Sequence, residues 1–371
     1  MNLRTISINQ LMTLMILFLV ASTMLFNISV DAGQNIWVVL IISSLIFVLL
    51  FAFYYRLSQL NHFKGLPDIF KSCFGQHLGS LCTLVYGLLF FTRCIMVSNG
   101  LTDMIQQTLM LGSSQRLSVT MLLLAVSFAC LYGFKIIGRV SEIFFFILIF
   151  CLIPFFSTVF STGVFKLYNL TPVLAEGMTG IEKDIFRIVF FPYGELLVFL
   201  MFFQYVANKD KKHIFKRSYV AIFISTLIMI AVGSTTVGIL GADLTRNFNF
   251  PFYNAMQLAG LRGFLERLDP LAAIIVVLTS FMKATIYLYA AVLSFQSLSK
   301  KFNYKKVLVL VAITIIIIAP YIRLEQSKSF HLYTFPFIVL PIFEIGIPLI
   351  AWVISEIKSY KANQKTVPLN H

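Results

Sequence analysis

Ten long apolar runs divide this chain, and they constrain its fold more than any other feature. They cover approximately residues 8–29, 36–55, 79–110, 117–134, 141–161, 185–206, 217–241, 269–298, 305–322 and 333–357. A helix crosses the hydrocarbon core of a bilayer in about 20 apolar residues. Only helices and closed barrels satisfy their own backbone groups there. The runs are apolar on all sides rather than striped, as expected of helices surrounded by lipid and by one another. Of the 371 residues, 59% are hydrophobic and only 12% charged, against about 25% charged in a soluble domain. The longest connections, near 162–184 and 242–268, are too short to form soluble domains of their own. The sequence therefore reads as an all-α membrane protein of about 10 transmembrane helices, a single polytopic domain over 1–371. The first run exceeds the apolar core of a typical signal peptide and is preceded only by Arg4, so it reads as a retained first helix.

The formal charge of +14 suggests a nucleic-acid partner, but the distribution of charge excludes one. Arg93 and Lys283 lie within apolar runs, and the remaining Lys and Arg divide 18 to 9 between alternate connections. That bias is the topology signal of membrane proteins, and it places both termini in the cytoplasm. The bilayer is the partner this basic character implies.

Segment 6 contains Phe190-Phe191-Pro192-Tyr193-Gly194-Glu195 at its middle. Pro192 removes a helix donor, Gly194 tolerates broken-helix dihedrals, and Glu195 places an ionisable group at membrane depth. Secondary transporters build substrate and ion sites from such discontinuous helices. Segments 3 and 8 are the longest, and each carries one basic residue about 14 positions in, Arg93 and Lys283. These matched anomalies suggest a five-plus-five inverted repeat, with repeat 1 over about 8–161 and repeat 2 over about 185–357. Segment 1 then corresponds to segment 6 and is expected to break near Ala21-Ser22-Thr23, small and hydroxylated residues without Gly or Pro.

Arg93 is about 20 Å from either end of its helix, too deep to reach the headgroups. It reads either as a carboxylate clamp and charge partner for Glu195 or as a structural pair with fixed carbonyls. Lys283 is as deep, and reads as a proton carrier, a stand-in for a bound sodium ion, or a structural ammonium. Glu195 is the foremost candidate for the site. Glu344 lies midway along the last run, which Pro336, Pro341 and Pro348 interrupt. That helix reads as peripheral, which gives Glu344 a structural role. Glu142 opens segment 5 at the cytoplasmic edge, where an acid is ordinary. The aromatic connection Asn247–Tyr253 reads as an interfacial or re-entrant lid, or as an anchoring loop. Asn61–Gly79 reads as a short amphipathic piece.

His62, His77, His213, His331 and His371 all lie outside the membrane-spanning middles, so no metal site emerges. The five cysteines, Cys73, Cys82, Cys94, Cys130 and Cys151, include no C-x-x-C pair and read as free thiols. There is no P-loop, no Rossmann fingerprint and no nucleophile–base constellation. The sequence calls for no cofactor and does not read as an enzyme.

Four stretches carry a family likeness. They are Ile6-Ser7-Ile8-Asn9-Gln10-Leu11; Ile137-Gly138-Arg139-Val140-Ser141-Glu142-Ile143-Phe144-Phe145; Asn169-Leu170-Thr171-Pro172-Val173-Leu174-Ala175-Glu176-Gly177 through to Phe191-Pro192-Tyr193-Gly194-Glu195; and Phe264-Leu265-Glu266-Arg267-Leu268-Asp269 with the helix through Lys283. In these the chain resembles the GerAB-type spore germination proteins, B subunits of the nutrient germinant receptors of endospore-forming bacteria. The resemblance implies the fold of amino acid–polyamine–organocation transporters, a LeuT-like 5+5 repeat with helices 1 and 6 broken. It implies a ligand site between helices 1, 3, 6 and 8, made here by Ala21, Ser22, Thr23, Arg93, Phe191, Tyr193, Gly194 and Glu195, with Glu195 and Lys283 as ion- or proton-coupling groups. It also implies a spore inner-membrane protein that senses a small nutrient, an amino acid or sugar, beside A and C subunits. Many relatives have a Gly-rich break in helix 1, where this chain has Ala21-Ser22-Thr23. The alternative function is a proton-coupled amino acid permease.

Overall fold

The structure is a computed structural model that describes residues 5–26, 28, 32–112, 114–175, 177–260, 268–299, 301–322 and 339–366. The described residues are almost entirely helical, and their only strand-like pairing is a bridge between Ile6 and Val206. In chain order the helices are α1 (Ile8–Leu25), α2 (Ile36–Leu60), α3 (Leu66–Thr108), α4 (Gln115–Leu131), α5 (Phe134–Thr162), α6 (Glu182–Ile188), α7 (Ile214–Leu240), α8 (Ala242–Asn247), α9 (Pro251–Gly260), α10 (Asp269–Ser297), α11 (Tyr304–Ile318) and α12 (Ile347–Thr366). Seven helices among the described residues are long and apolar enough to cross a membrane: α1, α2, α3, α5, α7, α10 and α11. Together with the shorter α4, the interrupted stretch 182–206 and the chain from 339 onward, they fall on the ten apolar runs. The protein is a multi-pass helical membrane protein. The beginning of the tenth run, with Pro336 and His331, and the motif residues Phe264–Arg267 lie outside the described residues.

Burial separates centre from periphery. The apolar windows of α1 and α10 are each 72% buried, against 33% for α2 and α5 and 28% for α11. α10 packs along α3, and α1 packs against α5, α7 and α10. The two central helices are thus the ones that carry Ser22 and Lys283. Hydroxyls bond carbonyls across helix interfaces, where no water is available to do so. Ser43 Oγ donates to Ile185 O at 3.1 Å, Tyr219 Oη to Val48 O at 3.0 Å and Tyr304 Oη to Cys130 O at 3.0 Å.

Local sequence explains where the helices start and stop. Ser7 and Gln10 form a reciprocal capping box at the start of α1, with Ser7 Oγ accepting from the Gln10 N–H and Gln10 Oε1 from the Ser7 N–H. The residues before α1 are tied down. The Ile6 N–H donates to Tyr205 O at 2.8 Å, and the Ala207 N–H donates to Ile6 O at 3.1 Å. Gln10 Nε2 donates to Glu142 Oε2 at 3.2 Å, so the edge acid anchors α1 to α5. The amphipathic piece before segment 3 is the first part of α3, which turns sharply at Gly75, at φ +83° and ψ +177°. That conformation suits glycine alone. The aromatic connection after α7 folds into α8 and α9. Phe252, Tyr253, Ala255, Met256 and Ala259 are buried, and α9 packs against α5, α7 and α10.

One expectation is corrected here. α1 runs unbroken from Ile8 to Leu25, and Ala21-Ser22-Thr23 sits in its closing turns rather than at an interior break. The Phe26 N–H still donates to Ser22 O before the chain turns extended at Phe26. Without Gly or Pro, nothing in this stretch opposes the helix.

Candidate functional site

Segment 6 breaks where its sequence indicates. α6 ends at Ile188, Val189–Tyr193 forms a single wide π-turn, and Phe191 leaves helical space at φ −130° and ψ +111°. Pro192 contributes no N–H to that turn. From Gly194 the chain continues as tight 3-10 turns through Met201 and again over Phe203–Tyr205. From Val189 to Met201 this irregular backbone is buried in protein, the condition under which a bilayer tolerates it. A second wide turn, Ile342–Gly346, interrupts the last segment between Pro341 and Pro348. Such insertions recur at functional sites, where they re-aim a side chain. Here each delivers a carboxyl to the same place. Glu195 follows the first and Glu344 lies in the second.

The result is a buried chain of charges joining five elements. Arg93 Nη1 of α3 lies 3.0 Å from Glu195 Oε1. Lys283 Nζ of α10 lies 2.5 Å from Glu195 Oε2 and also donates to Ser22 Oγ of α1. Arg93 Nη2 lies 3.8 Å from Glu344 Oε1. The order is Ser22, Lys283, Glu195, Arg93, Glu344. None of the four charged residues is more than 5% exposed, so the cluster is closed to water in this conformation. Two basic and two acidic side chains balance one another, and a buried charge demands such pairing.

Aromatic rings wall the cluster. Lys283 Nζ is 4.6 Å from the Phe18 ring centroid, 5.2 Å from Phe191 and 5.9 Å from Tyr287. Arg93 Cζ is 6.0 Å from Phe191. These are cation–π distances in a dry setting, where the attraction is strongest. Two tyrosines hold the second wide turn open. Tyr54 Oη donates to Glu344 O at 2.6 Å, and Tyr86 Oη donates to Phe343 O at 2.5 Å. Gly194 lets the two wide turns meet. A Cβ there would lie 2.0 Å from Glu344 Oε2. That oxygen has no hydrogen-bond partner among the described residues, and neither does Thr23 Oγ1 or Ser280 Oγ.

The sequence-derived candidates divide accordingly. Arg93, Glu195, Lys283, Ser22 and Phe191 come together, and Gly194 abuts Glu344. Tyr193 turns away. It stacks on Phe47 at 5.5 Å between centroids, and its hydroxyl lies 2.6 Å from Thr226 Oγ1. Ala21 is buried in α1 beside Ser22 without a polar contact to the cluster. Glu344 reads from the sequence as structural in a peripheral helix; the structure turns it inward, beside Arg93. The signal for it was present, since a carboxyl midway along an apolar run is subject to the rule that singled out Arg93. Phe18 and Tyr287 were also missed. Each sits one helical turn from a recognised residue, Phe18 four before Ser22 and Tyr287 four after Lys283. Among the described residues no group of His, Cys, Asp and Glu is arranged to hold a metal ion.

Comparison with known proteins follows the same lines. The family model described as "Spore germination protein" matches residues 5–327. The chain is 25% identical over 354 residues to spore germination protein KB of Bacillus subtilis (strain 168), an alignment covering 94% of each chain. It is 24% identical over 293 residues to spore germination protein A2 of the same organism, covering 75% of each chain. A multi-pass helical membrane protein matched over this length by that family is a germination-related membrane protein, and the chain belongs to the spore germination protein family.

Proposed function

We propose that this protein is the integral-membrane subunit of a spore nutrient germinant receptor and that its ligand binds at the Arg93–Glu195–Lys283–Glu344 cluster. One observation carries the reading. Two basic and two acidic side chains, all at least 95% buried, converge where two segments lose regular helix. Buried charge in a membrane is costly and marks function by default. The arrangement favours a zwitterion over a sugar. An amino acid brings one carboxylate and one ammonium. It can replace one internal ion pair with two ligand pairs and leave no net buried charge. Arg93, a planar fork donor, suits the carboxylate, and Glu195 or Glu344 suits the ammonium. Phe18, Phe191 and Tyr287 would face the side chain.

Because the cluster is closed, binding requires opening. A ligand that prefers the open state shifts the population between the two, and A and C subunits in the spore inner membrane would read out that shift. Both termini are assigned to the cytoplasm from the Lys and Arg distribution. The ten helices are assigned to an inverted repeat, 8–161 against 185–357, and both interrupted segments fall in its second half.

The second reading is a proton-coupled amino acid permease. The unpartnered Glu344 Oε2 favours it, since a buried carboxyl with a free oxygen is a ready proton acceptor. Liposomes containing only the purified protein separate the two. The receptor reading expects amino acids to raise the thermal stability of the protein without accumulating inside. Accumulation driven by a proton gradient, without partner subunits, establishes the permease. Stabilisation by no amino acid removes the zwitterion assignment.

A further inference from the structure

A groove of about 620 Å³ opens on the outer surface between α3, α10 and α11. Its walls are apolar and include Phe91, Phe295, Leu310 and Ile318. At one end sit Lys301 and Lys306, both exposed. Among the described residues neither ammonium has a carboxylate partner. The N-terminus of α11 opens at the same end. Asn303 Oδ1 caps it by accepting from the Lys305 N–H at 3.0 Å, and the helix dipole there is positive. The floor from Lys306 to Ile318 runs thirteen residues of helix, about 18 Å from end to end. One leaflet of hydrocarbon is about 15 Å deep. The groove thus has the length of an acyl chain, the apolarity of one, and unpaired positive charge where the headgroup would lie.

From this we infer that the groove is a site for an anionic phospholipid, its phosphate at Lys301 and Lys306 and an acyl chain along α11. Charge complementarity identifies the occupant. A zwitterionic lipid would fill the apolar part equally well, but the cation of its headgroup would offset the attraction between its phosphate and the two ammonium groups. Basic residues next to a membrane surface each favour anionic lipid by about 1 kcal/mol. The site faces lipid and is separate from the buried cluster, so it stands whether or not the cluster binds a nutrient.

The test uses the full-length protein, solubilised in mixed micelles containing equal phosphatidylglycerol and phosphatidylcholine, with retained lipid counted by mass spectrometry. Phosphatidylglycerol should be enriched about 30-fold over phosphatidylcholine in the tightly held fraction. The variant Lys301→Gln/Lys306→Gln should lose that enrichment. A control, Lys211→Gln/Lys212→Gln in a different loop, should retain it. Leu310→Trp, which fills the groove but keeps both lysines, should also lower retention. Equal retention of the two lipids overturns the assignment, as does enrichment that survives the Lys301/Lys306 change. If inorganic phosphate added in phosphatidylcholine stabilises the protein as well as phosphatidylglycerol does, the site recognises a free anion and the lipid assignment fails.

Discussion

Replacing Glu195 with Gln removes the one carboxylate that two buried cations share. Besides their aromatic neighbours, among the described residues Lys283 then keeps Ser22 and the neutral carbonyl of the introduced Gln, and the nearest carboxylate to Arg93 is Glu344 at 3.8 Å. Gln preserves shape and a carbonyl acceptor but not charge. At an effective dielectric constant of about 20, a pair of charges 4 Å apart is worth about 4 kcal/mol. Removing one member of a buried pair costs about 3–5 kcal/mol, largely because the other charge is stranded. Glu195→Gln should therefore lower stability by about 3–5 kcal/mol. Lys283→Met alone strands only part of the Glu195 charge, which Arg93 still holds at 3.0 Å, and should cost less. The double variant removes one charge of each sign and leaves Arg93 facing Glu344. It should be more stable than the sum of the single losses implies, by at least about 2 kcal/mol. A neutral hydrogen bond between membrane helices averages only about 0.6 kcal/mol, so the size of the coupling separates an ion pair from an ordinary polar contact. Equilibrium unfolding of purified protein by SDS titration in mixed micelles measures all four corners of the cycle. Losses that add within about 0.5 kcal/mol would refute the reasoning.

Four further substitutions probe the frame around the cluster and the bend of α3. Gly194→Ala should destabilise by about 1–3 kcal/mol, because its Cβ meets Glu344 Oε2 at 2.0 Å and Glu344 Cδ at 2.9 Å. Tyr54→Phe should cost about 1–3 kcal/mol in unfolding assays, since it strands the buried Glu344 carbonyl, and Tyr86→Phe about 0.5–1.5 kcal/mol, since the bond it removes from the Phe343 carbonyl is only part-buried. Gly79→Ala should be poorly tolerated, with reduced yield and melting temperature. Its Cβ would lie 2.5 Å from Lys71 Cα, so backbone must move at the Gly75 bend.

The sequence locates residues along a membrane helix better than around it. Depth is a matter of counting, and it singled out Arg93, Glu195 and Lys283, which the structure buries against one another. Pro192 and Gly194 marked the break in segment 6 because both act on the backbone directly. Rotation about the helix axis is harder, since helices that are apolar on every side carry no stripe to show which face is inward. The sequence therefore cannot tell that Tyr193, beside the break, points to Phe47 and Thr226. The orientation of Glu344 is hidden for a related reason. Its segment is flanked by prolines and looks peripheral, yet a local wide turn carries that one carboxyl inward to Arg93. The break expected in α1 rested on symmetry with segment 6 rather than on any residue that disfavours a helix, and α1 is continuous.

The claim that the buried cluster is the nutrient site is tested most directly in spores. The measurement is the germination rate against the concentration of an amino acid germinant, for spores carrying the native chain, Glu195→Gln or Arg93→Lys at matched protein level. Loss of one charge-assisted hydrogen bond to a ligand is worth about 1.5–3 kcal/mol. The half-maximal concentration should therefore rise by about 10- to 100-fold in each variant. Dose–response curves that superimpose on the native one, with the variant proteins present at native level, would contradict the assignment of the cluster as the ligand site.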